Sequence, residues 1–238
     1  IMKIYSDGAD ISSMNKINNY VDGFTTNPTL MLKAGIKDYL DFAKQITSQF
    51  DKPISFEVFS DDFDEMYDQA LTLSSLSDNV YVKIPVTNTK GNPSYELINK
   101  LSHENVKVNV TAVFTFNQVF KINQVLNEKE KSIISIFAGR IADTGIDPRP
   151  YVSYACNNKV ENCEILWAST REVLNIYQAK KCGCDIITVA PTLIEKYNKF
   201  KDKHIDKFSL DTVKEFYEDA KKAGYTIWLL LELHLELL

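Results

Sequence analysis

At 238 residues the chain is long enough for one large domain, and 45% hydrophobic with 25% charged residues is the balance of an ordinary soluble globular protein. The formal net charge of −5 provides no global positive field for nucleic acid or an anionic membrane, so an anionic substrate needs a local cluster of Arg or Lys. Four cysteines (Cys156, Cys163, Cys182, Cys184) read as reduced thiols of a cytoplasmic protein without a zinc-ligand pattern, and three widely separated histidines (His103, His204, His234) argue against a His-based triad or a His metal site.

No signal peptide is expected at the start. The first strand is read at Met2–Tyr5, ending in Ser6-Asp7-Gly8, followed by a short helix from Asp10 to Tyr20. Strand two is Gly23–Asn27, closed by Pro28. Apolar residues at Ile36, Tyr39, Leu40, Ala43, Ile46 and Phe50 have helical spacing and predict a helix over Ile36–Phe50. Strand three is Ile54–Phe59, and Asp61-Asp62 opens a helix through Leu76, with acids suited to its N-terminus. Strand four is the run Val80-Tyr-Val-Lys-Ile-Pro-Val-Thr87, and Asn92-Pro93 starts the next helix. Strand five is Val106–Phe114, with a helix over Phe116–Asn127. Strand six is Ser132–Ala138, ending in Gly139-Arg140, and Asp147-Pro148 opens the following helix. Strand seven is Glu164–Ser169, with a helix over Thr170–Lys181. Strand eight is Asp185–Ala190, closed by Pro191, and helices over Thr192–Tyr197 and Leu210–Ala223 follow.

Eight strands alternating with helices in about 225 residues imply right-handed β-α-β units closed into a (β/α)8 TIM barrel with an extra C-terminal helix. The expected single barrel domain spans residues 1–225. The leucine-rich stretch Ile227–Leu238 is too short and too charged to span a bilayer, and 226–238 reads as a tail, either packing on another subunit or vector-derived. Ile1 ahead of Met2 raises the same question. No G-x-G-x-x-G follows the first strand and no Walker A motif occurs, which argues against dinucleotide or nucleotide triphosphate chemistry.

Lys83 stands inside the apolar fourth strand, where an ammonium is costly to bury, and Pro85 ends the regular ladder. A desolvated lysine near the C-terminal end of a barrel strand can attack a carbonyl as a neutral amine; the bland alternatives are an edge-strand or snorkelling lysine. An ordinary lysine is neutral in only about one molecule in 2,500 at pH 7, and bringing its pKa to about 7–8 takes about 3–5 kcal/mol. The other strand ends carry Asp7, Asn27, Glu57, Asn109 with Thr111, Ser135 with Arg140, and Ser169 with Arg171. Each has a structural alternative as a turn former, cap, inward acid or surface charge. Together they supply two carboxylates and hydroxyls for proton transfer, and guanidinium forks with a hydroxyl for a phosphate.

Six segments resemble the transaldolase family, in particular its small single-barrel branch that also contains fructose-6-phosphate aldolases. They are Ser6-Asp-Gly-Ala-Asp10, Thr25-Thr-Asn-Pro-Thr29, Val82-Lys-Ile-Pro-Val-Thr87, Asn109-Val-Thr-Ala-Val-Phe-Thr115, Phe137-Ala-Gly-Arg-Ile141 with Asp143, and Ala168-Ser-Thr-Arg171. They run in family order between Met2 and about Tyr225, and the second and third together are quite specific. The resemblance implies that Lys83 is the Schiff-base lysine. It implies that Asp7 deprotonates the C4 hydroxyl during cleavage, and that Glu57 and Thr111 hold a proton-relay water. It further assigns Asn27, Asn109 and Ser135 to the dihydroxyacetone unit, and Arg140, Ser169 and Arg171 to the phosphate. The implied reaction moves a dihydroxyacetone unit from sedoheptulose 7-phosphate or fructose 6-phosphate to glyceraldehyde 3-phosphate or erythrose 4-phosphate, as in the pentose phosphate pathway, with no metal or organic cofactor. Ring-based homo-oligomers are implied as well.

Within that resemblance, Glu57 stands where the aldolase branch carries glutamine, and Phe137 where it carries a tyrosine able to place a water. This is similar to the transferase pattern. Ser6-Asp7-Gly8 replaces the usual Leu-Asp-Thr, which bears on substrate preference. The alternatives are a fructose-6-phosphate aldolase that releases dihydroxyacetone without an acceptor, and a non-catalytic barrel that binds sugar phosphates.

Overall fold

The computed structural model describes residues 1–227. Its eight strands are β1 (Lys3–Asp7), β2 (Gly23–Thr25), β3 (Ile54–Glu57), β4 (Val80–Pro85), β5 (Val108–Val113), β6 (Ser132–Ile136), β7 (Cys163–Trp167) and β8 (Ile186–Val189). Each pairs in parallel with its sequence neighbours, and β8 returns to β1, closing the barrel. This is the (β/α)8 architecture read from the alternation of elements. Residues 1–195 form one compact unit that holds all eight strands, and a second unit begins at Lys196.

The helices are α1 (Ile11–Ile17), α2 (Pro28–Lys33), α3 (Tyr39–Gln49), α4 (Phe63–Ser74), α5 (Tyr95–His103), α6 (Phe116–Asn123), α7 (Ala138–Asp143), α8 (Arg149–Asn158), α9 (Leu174–Lys181), α10 (Pro191–Phe200) and α11 (Ile205–Ala223). Side chains start several of them at defined places. Asp38 Oδ1 accepts from the Asp41 amide at 2.8 Å, Asp62 caps α4 through the Asp64 and Glu65 amides, and Thr115 with Gln118 forms a capping box on α6. Such a cap contributes about 1 kcal/mol. In the barrel unit α3 lays its apolar face on the sheet through Phe42, Ala43 and Ile46, with Phe42 edge-on to Phe56 of β3. Inside the barrel Tyr5, Tyr81, Ile133, Leu166, Ala168 and Ile186 form a buried plug.

The structure differs from the expected boundaries where one helical turn is too short to show periodicity. Strand two stops at Thr25, and Asn27 instead caps α2, its Oδ1 accepting from the Leu30 amide at 2.9 Å with Pro28 as first residue. Strand six stops at Ile136, and α7 starts at Ala138. The helix expected from Thr170 starts at Leu174, because Asn175 Oδ1 holds the Arg171 and Glu172 amides in a turn. The helix expected from Asn92 starts at Tyr95; Asn88 Oδ1 ties the Lys90 and Asn92 amides into a turn ahead of it. The final helix begins five residues early, at Ile205 rather than Leu210. The leucine-rich tail beyond Ile227 lies outside the described residues. Among the described residues no helix is long and apolar enough to cross a membrane.

Candidate active site

The C-terminal ends of the strands open into a cavity of about 620 Å³. Strand alternation puts Tyr81 and Lys83 on the inner face of β4, while Val82 and Ile84 face the helices. Lys83 is only 5% exposed. Its Nζ donates to the Thr26 carbonyl at 2.9 Å and lies 3.2 Å from Glu57 Oε2. The register makes this pairing: Glu57 of β3 stands beside Lys83 of β4, and Lys83 beside Asn109 of β5.

Asp7 enters from the end of β1. The residue keeps some exposed surface, but its carboxyl group lies deep. Burial raises its pKa above the ordinary carboxylate range, against the opposing pull of the Lys83 ammonium and the Thr25 hydrogen bond. Thr25 Oγ1 donates to Asp7 Oδ1 at 2.7 Å and lies 2.5 Å from Thr188 Oγ1. Thr25 has one hydroxyl proton and gives it to Asp7, so Thr188 donates to Thr25 while Asp7 is ionised.

Thr111 Oγ1 is buried at the cavity wall without a hydrogen-bond partner among the described residues. It sits at an irregularity of β5 between Val110 and Val113, where Ala112 has φ +57°. A bulge of this kind re-aims side chains beside a site. Ser135 lines the cavity and donates to Asn109 Oδ1 at 2.7 Å, while Asn109 Nδ2 donates to Ser55 Oγ at 3.1 Å. Every expected site residue except Asn109 lines the cavity; Asn109 is fully buried beneath Ser135.

On the β6–β7 side stand Phe137, Arg140, Ser169 and Arg171. Phe137 packs on Phe114, with ring centroids 5.8 Å apart. Arg171 grips Asp143 with Nε to Oδ1 at 3.2 Å and Nη2 to Oδ2 at 2.5 Å, which holds the Asp143 carboxyl below its ordinary range. Ser169 is left-handed at φ +62°, and its carbonyl lies against Gly139 so closely that a Cβ there would meet it at 1.5 Å. Gly139 therefore permits the close approach that puts Arg140 and Ser169 on one rim.

The family model described as Transaldolase/Fructose-6-phosphate aldolase matches residues 4–228. The chain belongs to this family. A "Probable transaldolase" of Thermoanaerobacter sp. is 33% identical over 233 residues, covering 95% of this chain and 100% of that protein. One from Brucella anthropi is 31% identical, with 90% and 97% covered. Among solved structures, KGPDC from Streptococcus mutans superposes with a TM-score of 0.57 at 11% identity, covering 82% of this chain and 90% of that one. The 3-hexulose-6-phosphate synthase of Salmonella typhimurium does so at 0.56 and 14%, covering 79% and 89%. These two establish the barrel fold alone.

In this member of the transaldolase/fructose-6-phosphate aldolase family the cavity also holds residues that sequence reasoning assigned no role. Thr188 is a polar residue within the buried run Ile186-Ile-Thr-Val189, the same signal that marked Lys83. Lys33, at the end of α2, adds a cation to the mouth; nothing local distinguishes it from a surface lysine. Tyr39, part of the apolar face expected for its helix, lies outside the cavity lining, and its hydroxyl bonds the Glu57 backbone.

Proposed function

We propose that the protein is a transaldolase that carries a dihydroxyacetone unit on Lys83 between phosphorylated sugars. The observation that carries this reading is a lysine buried at the C-terminal end of a barrel strand, with Glu57 Oε2 3.2 Å from its Nζ and a deep carboxyl, Asp7, across the cavity.

Glu57 is placed to take the proton from the Lys83 ammonium, freeing the amine to attack C2 of the ketose. Loss of water from the carbinolamine requires a proton on the departing hydroxyl, which Glu57 returns, with the free Thr111 hydroxyl orienting a relaying water. Asp7 then accepts the C4 hydroxyl proton, the C3–C4 bond breaks, and an aldose phosphate leaves. The electron pair remains as an enamine conjugated to the Lys83 nitrogen. Attack of C3 on an acceptor aldehyde, with the proton returning from Asp7, and hydrolysis of the imine complete the cycle. A carboxyl whose ionised form is disfavoured by burial is a stronger proton acceptor, which suits Asp7 to this step. Arg140, Arg171 and the Ser169 hydroxyl receive the phosphate, Asn27 and Ser135 the dihydroxyacetone hydroxyls, and Asn109 acts from beneath by fixing Ser135.

Phe137 favours transfer over simple aldol cleavage, since a phenyl ring places no water at the enamine, which then waits for an aldehyde. The expected donors are sedoheptulose 7-phosphate and fructose 6-phosphate, in a cytoplasmic homo-oligomer. Association is supported by α11, which among the described residues exposes Phe208, Val213, Phe216 and Tyr217. The test is glyceraldehyde 3-phosphate release from fructose 6-phosphate with and without erythrose 4-phosphate. Acceptor-dependent release is expected. Equal release without acceptor contradicts the transferase assignment in favour of an aldolase, and binding without release contradicts both.

A further inference from the structure

Glu57 ends β3 at a place where the neighbouring strand has already left the sheet. β2 stops at Thr25, the Thr26 amide makes the last bond to the Ser55 carbonyl at 3.1 Å, and the chain turns into α2 at Pro28. The Thr26 carbonyl is taken by Lys83 Nζ instead of a strand partner. The amide and carbonyl of Glu57 on that side are thus without a ladder neighbour, and buried backbone groups require partners. One side chain supplies both: the Tyr39 hydroxyl donates to the Glu57 carbonyl at 2.6 Å and accepts from the Glu57 amide at 2.8 Å.

We infer that Tyr39 is a positioning residue of the active site, a hydroxyl that replaces the departed strand and fixes Glu57 at its distance from Lys83. This inference rests on the catalytic roles of Lys83 and Glu57 proposed above. Several features suit the task. Tyr39 is the first residue of α3, a helix start secured by the Asp38 cap. Its ring packs on Phe59, two residues beyond Glu57, with centroids 5.1 Å apart. Burial raises the phenol's pKa well above its ordinary value, so the proton that bonds the Glu57 carbonyl stays in place through the working pH range. A phenol is required because the same oxygen both donates and accepts; a phenylalanine would keep the packing and lose both bonds.

The experiment is a double-mutant cycle on Tyr39→Phe and Glu57→Gln, read by borohydride trapping of fructose 6-phosphate on Lys83 and followed by intact mass over hours, so that slow variants still score. Tyr39→Phe is expected to slow trapping about 10–100-fold, the cost of a displacement of about 1 Å at a reacting group, with KM within about twofold. In the Glu57→Gln background the same substitution should change little, because its effect runs through the Glu57 carboxylate. A merely structural role would lower the melting temperature equally in both backgrounds and multiply the two rate losses. Wild-type rates in Tyr39→Phe, or full multiplicativity, overturn the positioning role while leaving the Lys83 assignment intact. Absence of trapping in the wild-type protein itself refutes the lysine assignment, and the role of Tyr39 with it.

Discussion

Gly139→Ala tests whether the proposed phosphate rim depends on a backbone contact that no side chain makes. An added Cβ would lie 1.5 Å from the Ser169 carbonyl oxygen, 2.7 Å from its carbon and 3.2 Å from Arg171 Cγ. Ordinary non-bonded contact is at about 3.5 Å, so α7 and the segment after β7 must separate by about 2 Å. The two atoms met within 3 Å belong to the Ser169 backbone and a Cβ has no rotamer, so rotamer changes cannot absorb the clash. Overpacking of this kind costs about 1–3 kcal/mol, which for a chain of this size lowers Tm by about 2–12 °C. The separation also moves Ser169 and Arg171 away from Arg140, and a misplacement of 1 Å typically costs about 100-fold. The expected outcome is a 10–100-fold loss in kcat/KM for fructose 6-phosphate. Trapping of dihydroxyacetone, which has no phosphate, should stay within about threefold of wild type. Wild-type kcat/KM for the phosphorylated sugar together with an unchanged Tm would refute the role given to Gly139.

The Asp7 carboxyl has a folded-state pKa above its unfolded value near 3.8, so its contribution to stability is lost as pH rises through the folded value. Asp7→Asn should therefore be inactive yet more stable than wild type at pH 7, with the advantage vanishing below about pH 3.8; a lower Tm at pH 7 would refute the burial argument. Arg140→Ala removes the charge-assisted phosphate contact proposed for it, about 1.5–3 kcal/mol, and should raise KM for phosphorylated sugars about 10–100-fold, while leaving dihydroxyacetone trapping unchanged. Phe137→Tyr should raise acceptor-independent glyceraldehyde 3-phosphate release at least tenfold by placing a water beside the enamine, and no increase would separate Phe137 from the choice between transfer and cleavage.

The barrel was legible because its strands are short apolar runs separated by amphipathic stretches, a pattern that survives errors of a few residues at each end. Val80–Pro85 shows the strength of the signal: five apolar residues around a single lysine define both a strand and a candidate nucleophile. The helices α2 and α7 were not legible, since six residues make too few turns for a period, and their start signals (Asn27 with Pro28, and Gly139 after Phe137) also suit a strand end. Lys83, Asp7, Glu57 and Thr111 were placed by strand order alone. Asn109 shows its limit: it lies at the right height in the barrel, but its amide is spent on Ser55 and Ser135 beneath the cavity floor. Tyr39 was hidden because its polar role depends on where β2 ends, a boundary that the expected strand Gly23–Asn27 overran by two residues.

The central claim is a covalent bond to Lys83, and reductive trapping addresses it directly. Protein incubated with fructose 6-phosphate and borohydride should gain the mass of one reduced adduct, mapped to the peptide carrying Lys83, and Lys83→Ala should gain none. An adduct on another lysine, or turnover that survives in Lys83→Ala, would contradict the account.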